Sequence, residues 1–158
     1  MPEITPATLA DVPQLAGLLT ILFTHEVELA PDATKQERAL RLILAQPETG
    51  RIYCARGGDR VLGMVSLLFT ISTAEGGFVI LLEDVIVHQN NRAQGIGGKL
   101  LKHAVDYAKQ KNFLRITLLT DRANEEAQKF FKSHGFLDSK MIPLRMFLQP
   151  RIDPDGPS

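Results

Sequence analysis

Cysteine is almost missing from this chain, with Cys54 as the single example. A disulfide framework within the chain and a cysteine-rich zinc site are therefore excluded, and no metal site is expected. Set in the apolar run Ile52-Tyr53-Cys54-Ala55, the thiol reads as a small core residue rather than a nucleophile. Net charge is missing as well, because eighteen Lys and Arg balance eighteen Asp and Glu. Bulk electrostatics thus give no reason to expect a nucleic acid or a membrane surface as partner. No apolar run is long enough to cross a bilayer and no cleavable signal pattern is visible, so a cytoplasmic location is expected. Two tyrosines are present, Tyr53 and Tyr107, and no carboxylate lies between Asp84 and Asp106. Both shortages bear on function.

What is present is ordinary for a globular protein. With 158 residues, 44% hydrophobic and 23% charged, one domain with a real core is expected over residues 1–149. The Pro/Asp/Gly-rich stretch 150–158 reads as a frayed tail. Glu3-Ile4-Thr5 suggests a first strand. A helix follows, with Asp11 as N-cap, Gln14 at capping-box spacing and the stripe Val12, Leu15, Leu18, Leu19, Leu22. Thr34-x-x-Glu37 suggests a second helix with Leu40, Ile43 and Leu44 inward. From Arg51 the period changes to that of three strands, 52–55, 61–69 and 78–82, joined by Gly57-Gly58-Asp59 and Glu75-Gly76-Gly77 as an antiparallel meander. Next come a glycine-rich loop, a helix over Lys99 to Lys111, a strand over Leu114 to Thr120 and a short helix over Asn124 to His134 stopped by Gly135. Met141 to Leu148 completes the order β-α-α-β-β-β-α-β-α-β as a final, irregular strand. The class is α/β with a mixed sheet.

The loop Arg92-Ala-Gln-Gly95-Ile-Gly97-Gly98 stands between a strand, Val79 to His88, and the start of a helix. The unpaired N–H groups of a first helical turn and its positive dipole end favour an anion there. Glycines allow phosphate to approach the backbone, and Arg92 adds a fixed positive charge. The composition reads as a pyrophosphate cradle. A P-loop does not fit, because Gly98-Lys99 is followed by Leu100 rather than a hydroxyl residue, and position 93 is Ala. A dinucleotide fingerprint would need glycine where Leu100 stands, and would open the first βαβ unit.

Arg92-x-x-Gly95-x-Gly97, with the apolar strand before it and Leu100-Leu101 after it, resembles the acetyl-coenzyme A motif of the GNAT superfamily of N-acetyltransferases. Asn124-x-x-Ala127-x-x-Phe130-Phe131-x-x-x-Gly135-Phe136 resembles that family's later helix, whose usual form carries Phe-Tyr. The resemblance covers nearly the whole chain. It implies a GNAT-like three-layer fold, a mixed central β-sheet with splayed strands flanked by helices. It also implies acetyl-coenzyme A as co-substrate, bound through the backbone N–H groups of Gln94, Gly95, Ile96, Gly97, Gly98 and Lys99 together with Arg92. The pantetheine arm would pair like an added strand with the backbone of Val85, Ile86 and Val87. Asn124 would touch the arm, cap its helix, or do both, and Phe131 would pack against the coenzyme.

The resemblance further implies acetyl transfer to a primary amine by direct attack in a ternary complex, with the backbone N–H of Val87 polarising the thioester. Glu83 and Asp84 are the acids on the strand before the loop. Strand alternation puts Glu83 on the face of Val85 and Val87, among apolar neighbours, where a raised pKa would suit a general base or water-orienting group. A buried structural carboxylate is the alternative. Phe131 stands where the family's acidic tyrosine is usual, so the general acid is open; His134, three residues on, reads as a surface histidine beside a helix end. The missing phenol leaves a second reading, a coenzyme A-binding module with weak or no catalysis. The acceptor is a small-molecule amine or a protein or peptide amine, with Glu26, Glu28 and Asp32 suited to a cationic one. A homodimer would match many proteins of this kind, and the oligomeric state is open.

Overall fold

The computed structural model describes residues 2–25 and 31–150. Glu26 and Glu28, and the tail 151–158, lie outside the described residues. The elements are β1 (Glu3–Pro6), α1 (Val12–His25), α2 (Ala33–Leu44), β2 (Gly50–Gly57), β3 (Arg60–Ser72), β4 (Gly77–Val87), α3 (Ile96–Gln110), β5 (Ile116–Leu118) and α4 (Glu125–Ser133). The five strands form one sheet in the order β1-β2-β3-β4-β5. The first four are antiparallel, and β5 joins β4 in parallel over Ile80–Leu82 and Ile116–Leu118 alone. The class is α/β with a mixed, open sheet.

Two apolar layers cover the sheet. On one face Tyr53, Val65, Leu67, Ile80 and Leu82 pack under Ile96, Leu100, Leu101, Ala104 and Ala108 of α3. On the other, Ile52, Cys54, Met64 and Ile86 pack under Val12, Leu15, Leu19 and Leu40 of α1 and α2. The alternation of neighbouring residues between layers, Tyr53 one way and Cys54 the other, is the two-residue period of a strand covered on both faces. Cys54 is fully buried and burial pushes its thiol up to about 12, which suits a core residue.

Several boundaries differ from the sequence reading. Thr8, not Asp11, opens the first helical region; a 3-10 turn over Leu9–Asp11 precedes α1, and the Asp11 carboxylate accepts from the Thr8 N–H at 2.8 Å. Gln14 instead holds the β2–β3 turn, accepting from Val61 N–H at 2.8 Å. Asp32 caps α2 by accepting from Lys35 N–H, so Thr34 lies inside the helix. β5 has three residues, shorter than Leu114 to Thr120. The largest correction concerns Met141 to Leu148, which forms no strand and leaves its apolar side chains in solvent. Its pattern is that of a strand, but a strand also needs a hydrogen-bonding neighbour.

Gly63 sets how closely α3 approaches the sheet. A Cβ there would lie 2.9 Å from the Ile86 carbonyl oxygen and 3.0 Å from Leu100 Cδ1. The carbonyl cannot retreat without opening the β3–β4 ladder, in which Gly63 faces Val87. Gly63→Ala is therefore expected to cost about 1–3 kcal/mol of stability, read as a lower urea midpoint; an unchanged midpoint would show that the ladder yields.

An ion pair ties β2 to the turn that precedes α1. Asp11, 5% exposed, accepts from both terminal nitrogens of Arg56 at 2.7 and 2.5 Å, and Arg56 Nε also donates to Thr5 Oγ1 at 2.6 Å. The hydrogen bonds from Arg56, with help from Thr8, hold the Asp11 carboxyl below its usual range against the opposing effect of burial. A lowered folded pKa stabilises the protein above the unfolded value of ~3.9, and that stability disappears as pH falls through the folded value. Asp11→Asn should cost on the order of 3 kcal/mol at neutral pH by stranding Arg56. It should also flatten the loss of stability on acidification below pH ~4, as read by denaturation at stepped pH.

Candidate functional site

The site begins with one extra residue in β4. Across the ladder Ser66 faces Asp84 and Leu67 faces Leu82, so Glu83 has no partner and forms a bulge. Alternation shifts with it. Ile80 and Leu82 pack toward α3, and so do Val85 and Val87, three positions further on rather than two. The hydrogen bonds shift in step. Ile80 donates to the Arg115 carbonyl at 2.9 Å, toward β5, while His88 donates to the Leu62 carbonyl at 2.7 Å, toward β3. The Val87 carbonyl accepts from Arg92 Nε at 3.4 Å. In an extended strand one residue's N–H and C=O face the same edge, and successive residues alternate. Without the bulge, Ile80 and Val87 would face opposite edges; with it, Val85 and Val87 face the β5 side.

On that side no strand among the described residues meets them. The β4–β5 pairing ends at Leu82 and Leu118, where β5 stops while β4 continues, leaving a wedge beyond it bordered by the backbone of Val85 and Val87. Ile86 differs from its neighbours: its backbone faces β3, opposite Met64, and its side chain is buried in the α1–α2 layer. Glu83 is exposed, without the apolar enclosure expected for it, and alternation does not place it because it is the bulged residue. Asp84 is half-buried, and Ser66 Oγ, itself buried, donates to its Oδ2 at 3.0 Å. The Ser66–Asp84 pair was not legible from one strand's pattern, because it depends on register.

Beyond Val87 the chain makes a 3-10 turn over Gln89–Asn91 and enters the glycine loop. Ala93 and Gly95 take positive φ, 64° and 77°, and Gly95 is the N-cap of α3. The helix starts at Ile96, three residues before its apolar pattern suggests, so Gly97 and Gly98 belong to its first turn. No side chain caps this end. The N–H groups of Ile96, Gly97 and Gly98 are thus the orphan donors of an uncapped helix, beside exposed Arg92 and Gln94 and without an acid in the loop. Lys99 N–H is already internal, donating to the Gly95 carbonyl at 3.1 Å.

α4 closes the far side. Asn124 caps it, accepting from Ala127 N–H at 3.0 Å, and Gly135 ends it with φ 98°. A Cβ on Gly97 would sit 3.5 Å from Phe130 Cζ, and one on Gly98 would sit 3.2 Å from His134 Nε2, so α4 lies directly against the first turn of α3. The Nδ1 of His134 is 2.9 Å from the Phe130 carbonyl, which can only accept, so Nδ1 carries the proton. His134 is therefore at the helix end, as its sequence suggests, and also beside the glycine turn. Phe131 packs against Phe130 and Phe136, with ring centres 5.2 and 6.0 Å away. Tyr53 and Tyr107 are 5.7 Å apart in an aromatic cluster under α3 with His103 and Phe69, and burial raises the Tyr53 phenol. Neither supplies a phenol on the α4 side. Among the described residues, no three His, Cys, Asp or Glu are grouped to hold a metal ion. No helix among them is long and apolar enough to cross a membrane.

Several known proteins are similar to this chain. Uncharacterized N-acetyltransferase YhfO of Bacillus subtilis (strain 168) is 29% identical over 123 residues, 77% of this chain and 83% of its own length. Streptothricin acetyltransferase A of the same organism is 35% identical over 57 residues, 36% of this chain and 33% of that protein. A solved structure described as a probable acetyltransferase has a TM-score of 0.79 at 26% identity, covering 94% of this chain and 99% of that one. The family model for the acetyltransferase (GNAT) family matches residues 15–136, from α1 through the end of α4. The short β4–β5 pairing and the uncapped glycine turn accord with this match: the chain belongs to the acetyltransferase (GNAT) family.

Proposed function

We propose that the protein transfers the acetyl group of acetyl-coenzyme A to a primary amine, by direct attack within a ternary complex. The observation that carries this reading is the bulge-directed wedge between β4 and β5, which opens beside the uncapped first turn of α3. A linear thioester with a pyrophosphate at its far end suits that shape. The pyrophosphate would take the N–H groups of Gln94, Gly95, Ile96, Gly97 and Gly98, with Arg92 adding charge, while the Lys99 N–H expected among them stays within the helix. The amide-bearing arm would lie along Val85 and Val87 as an extra strand, while Ile86 faces away. Asn124 and Phe131 would border the arm from α4.

At the reacting end, Val87 N–H would donate to the thioester oxygen, favouring the negative charge that develops there. The amine nitrogen adds to the carbonyl carbon, the C–S bond breaks, and the electron pair leaves on sulfur. The ammonium must first lose a proton, and β4 offers two carboxylates, exposed Glu83 and Asp84 held by Ser66. With Phe131 in place of a phenol, the thiolate would take its proton from water or from the nitrogen it leaves behind. The acceptor is a small-molecule amine or the amine of a peptide or protein. Streptothricin acetyltransferase A illustrates the first class within the shared segment. Phe131 also favours a second reading, a coenzyme A-binding module with little turnover.

Thiol release from acetyl-coenzyme A across an amine panel, with calorimetry for binding, separates the readings. Binding with turnover supports transfer, binding without turnover on any amine supports the module, and absence of binding contradicts both. Gly97→Asp should fold, since the added Cβ meets only ordinary contacts and an acid suits a helix start. It should nevertheless weaken coenzyme binding by roughly a hundredfold; unchanged affinity would remove the phosphates from this turn. If Glu83 is the base, Glu83→Gln should lower kcat and abolish the acid limb of the pH–rate profile while leaving coenzyme affinity intact. A limb that survives in Glu83→Gln but vanishes in Asp84→Asn would assign the proton to Asp84.

A further inference from the structure

His134 turns its imidazole from the end of α4 toward the first turn of α3. The ring rests on that of Phe130, with centres 4.7 Å apart. Its Nδ1 lies 2.9 Å from the Phe130 carbonyl, which holds a proton on that nitrogen, and 3.2 Å from Ser133 Oγ. The other nitrogen, Nε2, is aimed at Gly98, where a Cβ would sit 3.2 Å from it. The imidazole thus fills the place that a side chain at position 98 would take. In standard geometry a backbone nitrogen lies about 2.5 Å from its own Cβ, so Nε2 is within roughly 6 Å of the Gly98 N–H. Two donors that far apart are spanned by one phosphate group, whose oxygens accept at about 2.9 Å each.

We propose that His134 is a coenzyme-binding residue whose Nε2 donates to the same pyrophosphate as the first turn of α3; this rests on the coenzyme reading of the site. With the proton on Nδ1, a neutral ring offers Nε2 only as a lone pair, which repels an anion. A cationic ring offers an N–H there, and a charge-assisted bond to phosphate is of the stronger kind. Binding therefore draws a proton onto Nε2. The contribution is present while the ring is cationic and is lost as pH rises and the ring becomes neutral. The charged groups around the ring suit an anion. The loop offers Arg92, α3 offers Lys99 and Lys102, and the end of α4 with its continuation offers Lys129, Lys132 and Asp138. The acids are engaged or distant: Lys132 holds Asp138 at 2.9 Å, Lys102 holds Asp106 at 2.7 Å, and Glu125 and Glu126 stand at the opposite end of α4.

Calorimetry of the full chain with 3′-dephospho-coenzyme A tests the proposal, because that pyrophosphate keeps its charge across the range in which a histidine titrates. Near pH ~7.5, binding in buffers of differing ionisation enthalpy should show net proton uptake, and affinity should rise about tenfold from pH ~8 to pH ~6. His134→Gln should lose both the uptake and the rise. His134→Arg, a permanent cation, should bind tightly at both pH values. Uptake by the unaltered chain needs no variant, so misfolding of either substitution does not hide the answer. No uptake, or a pH dependence that His134→Gln retains, would overturn the proposal and leave the coenzyme site standing. A dependence shown by coenzyme A and not by its dephospho form would move His134 to the 3′-phosphate and equally overturn it. Absence of binding by the unaltered chain would remove the coenzyme reading and the proposal together.

Discussion

A single unpaired residue in β4 decides which way half of that strand faces. Because Ser66 opposes Asp84 and Leu67 opposes Leu82, Glu83 is left over, and the backbone beyond it is rotated by one position. Below the bulge β4 spends its outward hydrogen bonds on β5; above it, Val85 and Val87 again face outward, where β5 has already ended. The same shift returns the Val85 and Val87 side chains to the α3 layer and leaves Ile86 in the α1–α2 layer. One local irregularity therefore produces both a continuous core and an edge able to pair with something other than protein.

The glycine turn is coherent with that edge because both are positioned by α3. Its first turn is fastened from below by buried Ile96 and Leu100 and approached from the side by Phe130 and His134. Gly63 lets the helix lie directly on β3 and β4, so the donors of the first turn open beside the end of Val87. With no side chain satisfying those donors, a bound anion or water must do so. On the proposed reading the wedge would orient a linear ligand and the turn would hold its charged end, both through backbone groups.

Much of this was legible in the sequence. The turns Gly57-Gly58-Asp59 and Glu75-Gly76-Gly77 announced the meander, and Gly58 and Gly76 indeed take positive φ, 63° and 81°. Asn124 and Gly135 marked both ends of α4, and the two glycine and aromatic motifs led to the family. What was not legible depends on distant partners. The bulge shows only in the pairing with β3, where Ser66 meets Asp84 eighteen residues away, so alternation within β4 alone could not place Glu83. Asp11 looks like a cap locally, yet its carboxylate is engaged by Arg56 forty-five residues away. The start of α3 was hidden because glycine is a poor helix former, while a first turn needs no internal donors and tolerates it. Met141 to Leu148 has a strand's pattern without a strand's neighbour.

On the proposed reading the bulge sorts the β4 backbone into residues that face the coenzyme and one, Ile86, that does not. Amide-resolved NMR during titration with coenzyme A reads this residue by residue. Large perturbations at Val85, Val87 and the Gly95–Gly98 turn, with Ile86 nearly unmoved, are the predicted result. Equal perturbation of Ile86, or a silent glycine turn, would contradict the account.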